Sequence, residues 1–187
     1  MSALTLSFTK KIAPEKVFMI SSLLVNGGNY LYNLVLGRFL GPEKFADAAI
    51  LITLLLVLSF VAMTFQLVTA KFSVLFEKAI FKTFIANTYK TAAIVGILLG
   101  ALVILFSIEL QIFFKTSSSY LFVVFGIGVP FYFIVSVNRG LFQGKKELIS
   151  LSITYQLEMI SRLLITFSLL YFFQIESSIL IAIGILG

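Results

Sequence analysis

The sequence predicts an all-α polytopic membrane protein, and three observations carry that reading. Residues 48–70 contain no charged side chain, between a charged Gly/Pro turn and Lys71. Hydrophobic residues make up 60% of the 187-residue chain and charged residues 12%, where soluble domains carry about 25%. The mean hydropathy is +1.10. Similar apolar stretches recur along the chain, separated by short polar turns. About 20 apolar residues in a helix, rising 1.5 Å each, cross the roughly 30 Å hydrocarbon core of a bilayer. The expected architecture is therefore about five complete transmembrane helices plus the start of a sixth.

Composition narrows the chemistry. Cysteine is absent, which removes disulfides, thiolate ligands and thiolate nucleophiles. Histidine is absent too, and with it the commonest metal ligand and general base. The eight Asp and Glu residues lie mostly at segment ends. An enzyme is poorly served by this inventory, so none is expected, and no cofactor or metal site is expected either. The net charge of +6, in so apolar a chain, points to basic loops beside anionic lipid rather than to nucleic acid.

Residues 1–16 read as a cytoplasmic tail carrying Lys10, Lys11 and Lys16. The apolar run behind it is too long for a signal-peptide core and has no small-residue cleavage site. The first span covers residues 17–36. Its Ser22, Asn26, Asn29, Tyr30, Asn33 and Gly37 recur at steps of three and four, which gathers them on one helical face. Amides in hydrocarbon need partners, so this stripe faces other helices or a watery cavity. Either it bonds helix to helix, or it forms a cavity wall that contacts a polar solute.

The second span, residues 48–70, carries a thinner stripe of Ser59, Met63, Gln66 and Ala70, with Gln66 placed to bond across to a neighbour. Residues 71–90 put Lys71, Lys78 and Lys82 on one face and Phe72, Phe76, Ile80 and Phe84 largely opposite. That is an interfacial amphipathic helix or a basic connecting loop. The third span, residues 91–114, has Gly96 and Gly100 at the spacing of close helix contacts, and Glu109 near its far end. The fourth, residues 120–137, contains Gly126, Gly128 and Pro130, and the proline predicts a kink.

Residues 138–148 read as a basic, glycine-punctuated loop. The fifth span, residues 149–173, holds Glu158 and Arg162 one turn apart, the favourable order for an i,i+4 pair. Each charge at mid-bilayer costs about 2.5–3.5 kcal/mol on insertion scales, so both face the bundle interior, with Tyr155 on the same side. Two readings stand: a self-neutralising pair, or an Arg162 that lines a hydrated path and holds an anion. A sixth span begins near Ile179 and reaches Gly187 after too few residues to cross, so the sequence reads as cut short.

Loop charge sets the expected orientation. With the N-terminus cytoplasmic, the inner segments hold Lys10, Lys11, Lys16, Lys71, Lys78, Lys82, Lys90, Arg139, Lys145 and Lys146. The outer ones hold only Arg38, Lys44 and Lys115. This is the positive-inside pattern of a protein of the cytoplasmic membrane.

Three stretches carry a family likeness. They are the first outer turn from Gly37 to Ala46 (GRFLGPEKFA), the inner end of the second span from Gln66 to Phe72 (QLVTAKF), and Arg139 to Gly144 (RGLFQG). With these the chain resembles the polysaccharide-transporter branch of the multidrug/oligosaccharidyl-lipid/polysaccharide flippase superfamily. The resemblance implies a MATE-like transporter of two similar helix bundles working by alternating access, with this chain as the N-terminal bundle and a C-terminal bundle as its partner. The implied cargo is a saccharide on a polyprenyl pyrophosphate, flipped from the inner to the outer leaflet. Asn26, Asn29 and Asn33 would then bond sugar hydroxyls, and Arg162 would neutralise pyrophosphate. The candidate substrate-binding set is Asn26, Asn29, Tyr30, Asn33, Gln66, Tyr155, Glu158 and Arg162. The cores of the first two spans lack the arginines that flippases of the peptidoglycan precursor place there, which favours another glycan. The competing readings are a multidrug/cation antiporter of the same superfamily, which would want a carboxylate in the early spans, and a membrane-embedded glycan-pathway enzyme or assembly subunit.

Overall fold

A computed structural model of the chain describes residues 13–172 and 182–185, and every regular element among them is an α-helix. Four helices are long and apolar enough to cross a membrane: Pro14–Leu75, Lys78–Leu105, Tyr120–Gly144 and Leu148–Ser168. The chain is thus an all-α, multi-pass membrane protein. The expected turn at 174–178, most of the sixth span and most of the N-terminal tail fall outside the described residues.

Helix α1, Pro14–Leu75, joins what the sequence divides into a first and a second span. Unbroken, its 62 residues would reach about 93 Å, three times the hydrocarbon core. It is broken at Gly41, where φ is 73° and ψ 172°, followed at once by Pro42. A side chain at that φ would clash with the backbone, and Pro42 has no N–H to continue the ladder. The charged Gly/Pro turn is therefore a corner between two helical arms. The direction of each arm follows from its partners.

Helix α4 (Tyr120–Gly144) and helix α5 (Leu148–Phe172) form an antiparallel hairpin through Lys145, Lys146 and Glu147. The first arm of α1 runs along α5: Gln156 donates to the Ser21 carbonyl at 3.1 Å, Met159 lies against Gly28, and the Tyr32 and Thr166 hydroxyls bond at 3.1 Å. The second arm runs along α4: Asp47 accepts from Ser117, Phe65 packs on Phe133, and Thr69 and Ala70 meet Gly140 and Gly144. Residue numbers rise together in both pairs, so the two arms run in opposite directions.

Helix α2, Lys78–Leu105, and the short α3, Ser107–Phe114, follow the second arm, and residues 182–185 are a further helical turn. The expected third span is thus two helices with Phe106 between them. Residues 71–90 form no element of their own. They finish α1 and begin α2, and the Phe72, Phe76 and Phe84 rings cluster at that junction with centroids 4.8–5.3 Å apart. Helix α4 packs against every other helix. It stays helical through Pro130 and on to Gly144, so Arg139, expected in a loop, is instead a buried residue of its last turns.

Small residues let α4 occupy the centre. A Cβ at Gly100 would stand 2.3 Å from the Gly126 carbonyl oxygen, and one at Gly140 would stand 2.4 Å from that of Gln66. Backbone faces backbone at both crossings, with no side chain able to yield. Gly100→Val should therefore cost about 1–3 kcal/mol, the usual range for overpacking. Gly27→Ala, where no atom lies within 4 Å, should raise the unfolding midpoint in detergent slightly, since alanine is the better helix former. Equal midpoints for the two variants would show that the α2–α4 crossing is looser than this.

Candidate functional site

Arg139 has 4% of its surface exposed, matched among the charged described residues only by Asp47. It sits on α4 opposite α5 and is satisfied from several sides. Its Nη2 donates to Glu158 Oε2 and, at 3.3 Å, to the Thr154 carbonyl. Its Nε reaches the Thr154 hydroxyl at 3.4 Å, and its plane stacks on the Tyr155 ring at 4.2 Å from the centroid. Stacking suits a guanidinium, which is planar and weakly hydrated, far better than an ammonium.

Glu158 answers two cations. Its Oε2 takes Arg139, and its Oε1 takes Arg162 Nη2 at 2.9 Å. The predicted i,i+4 pair on α5 thus exists, but it is two-thirds of a triad. Two guanidiniums against one carboxylate leave a net charge of +1. Arg162 is 12% exposed, and its Nε is buried with no hydrogen-bond partner. An unanswered donor on a cation away from water is costly unless something completes it.

The triad stands between two cavities. The first, about 560 Å³, is bounded by Leu55, Phe131, Val135 and Leu157 and has Arg139, Glu158 and Arg162 in its wall. The second, about 390 Å³, is bounded by Ser22, Asn26 and Asn29 of the first arm, with Tyr155, Glu158 and Arg139 opposite. Tyr132, Arg139 and Glu158 line both and form the septum. Both volumes lie in the range of small-molecule sites. The chain matches no protein-family model, no curated protein and no solved structure.

The candidate residues divide. Asn26 and Asn29 line the second cavity, as a cavity-wall stripe would. Asn33 lines neither cavity; its amide donates to the Asn29 carbonyl of its own helix at 3.0 Å. Tyr30 is 69% exposed and lines neither cavity. Gln66 acts as a bridge, donating to Gln143 Oε1 at 2.9 Å and to the Tyr155 hydroxyl at 3.3 Å. That bond orients the ring on which Arg139 stacks. Tyr155, Glu158 and Arg162 share one site. The early spans also hold a buried carboxylate, Asp47, but it is engaged by the Ser117 hydroxyl and backbone N–H near the Gly41 corner.

Sequence reading missed Arg139, Tyr132 and Thr154. A signal for the first two was present: Tyr132, Ser136, Arg139 and Gln143 fall at steps of four, three and four, one polar face of a helix. The glycines and charges around them masked it.

Breaking the triad should be worse than removing it. Glu158→Leu leaves two buried guanidiniums unanswered and should destabilise by about 3 kcal/mol, at the low end for broken buried pairs because Glu158 is partly exposed. Adding Arg139→Met should recover part of that loss. A double variant whose unfolding midpoint falls by the sum of the singles would mean that the two groups do not interact.

Proposed function

We propose that the chain is part of a flippase-type transporter, moving a polyprenyl-pyrophosphate-linked saccharide from the inner to the outer leaflet by alternating access. The observation that carries this reading is the net-positive triad held between an apolar and an amide-lined cavity within apolar helices. A lipid-linked glycan needs all three environments at once: an anion site, a polar site for hydroxyls and an apolar site. The Arg pair would neutralise pyrophosphate, for which guanidinium geometry suits bidentate contact. Asn26 and Asn29 would bond sugar hydroxyls. No covalent step is involved, so the protein acts as a carrier rather than an enzyme.

The likeness of the Gly37–Ala46 turn to polysaccharide transporters supports the same reading. On it, the chain forms an N-terminal bundle, works with a C-terminal bundle, and lies in the cytoplasmic membrane with its N-terminus inside. A cation antiporter fits less well, because both oxygens of Glu158 are already taken by guanidiniums and neither is open to a cation.

Two measurements test this. Arg162→Ala in the full chain should lower lipid-linked glycan translocation about tenfold or more, the worth of one charge-assisted contact. Wild-type translocation by a folded variant would overturn the assignment. For orientation, the cysteine-free chain permits single-cysteine labelling. Ser118→Cys should react with an impermeant maleimide from outside intact cells, and Lys78→Cys only after permeabilisation. The reverse order would invert the proposed topology.

A further inference from the structure

A further groove stands apart from the triad. The second arm of α1 packs on α4 through Phe65 and Phe133, and α2 packs on it through Gly96 and Gly100. The two meet each other where the Phe72, Phe76 and Phe84 rings close their junction. Beyond those rings a gap of about 300 Å³ lies between them, sharing no lining residue with the other two cavities. Phe65, Val68 and Phe84 give it apolar walls, while Thr64, Asn87 and Thr91 add exposed polar groups. Thr64, Phe65 and Val68 belong to the charge-free stretch 48–70, and no charge follows Lys90 in α2. The groove therefore opens toward lipid, with Lys71 and Lys90 at its border. We propose that it binds an anionic glycerophospholipid of the surrounding leaflet, with the headgroup between Lys71 and Lys90 and the glycerol esters at Asn87 and Thr91. Such a site depends only on the membrane-spanning fold, whatever the chain transports.

Unanswered polar groups, charge and apolar area all favour that occupant. Asn87 and Thr91 take no side-chain hydrogen bond among the described residues, whereas the Thr88 hydroxyl is occupied by the Phe84 carbonyl at 2.9 Å. A free amide beside hydrocarbon needs a partner, and lipid ester carbonyls offer acceptors at that depth. Between Asp47 and Glu109 the chain carries Lys71, Lys78, Lys82 and Lys90 against Glu77 alone. Lys71 follows Val68 by three residues and Lys90 follows Asn87 by three, so both stand on faces that border the groove. Lys78 and Lys82 fall on other faces of α2. Lys71 lies over the Phe72 ring at 5.6 Å, and neither bordering lysine has a carboxylate partner among the described residues. A soluble anion would meet these lysines and leave the walls of Phe65, Val68 and Phe84 without a partner. A zwitterionic lipid would cover the walls but bring its own cation against the lysines. An anionic glycerophospholipid answers the lysines, the amide and the apolar walls together.

The test is photolabelling of the full chain in detergent, using a phosphatidylglycerol with a diazirine near its ester groups and mass spectrometry to map the labelled residues. Labelling is expected within residues 64–68 and 84–91, displaced by plain phosphatidylglycerol and not by phosphatidylcholine or free glycerol phosphate. Lys71→Gln and Lys90→Gln should each weaken phosphatidylglycerol about fivefold, the effect of one lysine at an anionic surface. Asn87→Leu should weaken it as well, while Lys78→Gln and Lys82→Gln should leave it unchanged. All five positions are exposed, so each variant should fold, which its unfolding midpoint checks. Equal weakening by all four lysine variants would overturn the site, because a diffuse basic surface would then account for binding. Equal displacement by phosphatidylcholine would remove the role of charge, and equal displacement by glycerol phosphate the role of the apolar walls; either overturns it. So would labelling around Leu157 and Phe131, which line the first cavity.

Discussion

The burial of Arg139 is the constraint from which the rest of the architecture can be reasoned. A guanidinium within a membrane helix cannot be neutralised by losing its proton, so its five donors and its charge have to be met in place. Glu158 meets the charge, Thr154 meets donors with both its hydroxyl and its carbonyl, and Tyr155 offers a ring face. All three lie on α5, which fixes the register of α4 against α5. The Tyr155 hydroxyl is in turn held by Gln66, and Gln66 by Gln143, so the second arm of α1 is tied into the same network. One buried cation thus links three helical segments, and moving any one of them would uncover it.

Such a network needs helices at short and fixed distance, which bulky apolar packing alone does not provide. Lipid tails are as apolar as leucine, so side-chain burial offers little drive for helices to associate inside a bilayer. Close backbone contact supplies it instead. Glycines at 96, 100 and 126 bring α2 onto one side of α4, and those at 140 and 144 bring α1 onto another. The buried Phe122, Phe125 and Phe133 then fill the spaces that these contacts leave. With α4 held on these sides, its remaining polar face is left to α5 and to the cavities.

How much of this could be read from the sequence depended on whether a residue's partner lay on its own helix. Glu158 and Arg162 were legible because an i,i+4 pair is written in one segment. Asn26 and Asn29 were legible as a face, though not the contact that turns Asn33 back on its own helix. Arg139 was not legible as a buried group. Asn138, Gly140 and Gly144 carry the local chemistry of a turn, and only the approach of the Gln66 and Ala70 backbones makes those glycines assets within a helix. The same cause moved the end of the fourth span by seven residues, from Val137 to Gly144. Gly41 shows the opposite case. Its Gly-Pro step announced the corner correctly, since a positive φ before a residue without an N–H is a local demand that no packing has to supply.

The surplus positive charge ties these observations to mechanism. A self-neutralising pair would be stable without a ligand and would gain little from one. A triad of two guanidiniums and one carboxylate is different, because its carboxylate holds both cations in place yet leaves one of them incompletely answered. That arrangement is preorganised for an anion: the donors are oriented before it arrives, so little is lost in ordering them. It also constrains what happens next. The septum residues Tyr132, Arg139 and Glu158 face both cavities, so a ligand spanning the two would touch three helical segments at once, α1 through Asn26 and Asn29, α4 through Arg139, and α5 through Arg162. A carrier changes shape in response to cargo only if the cargo binds its states unequally. On the transport reading we propose, a site assembled from three segments would meet that requirement, because any movement of one against the others alters the contacts made to the ligand.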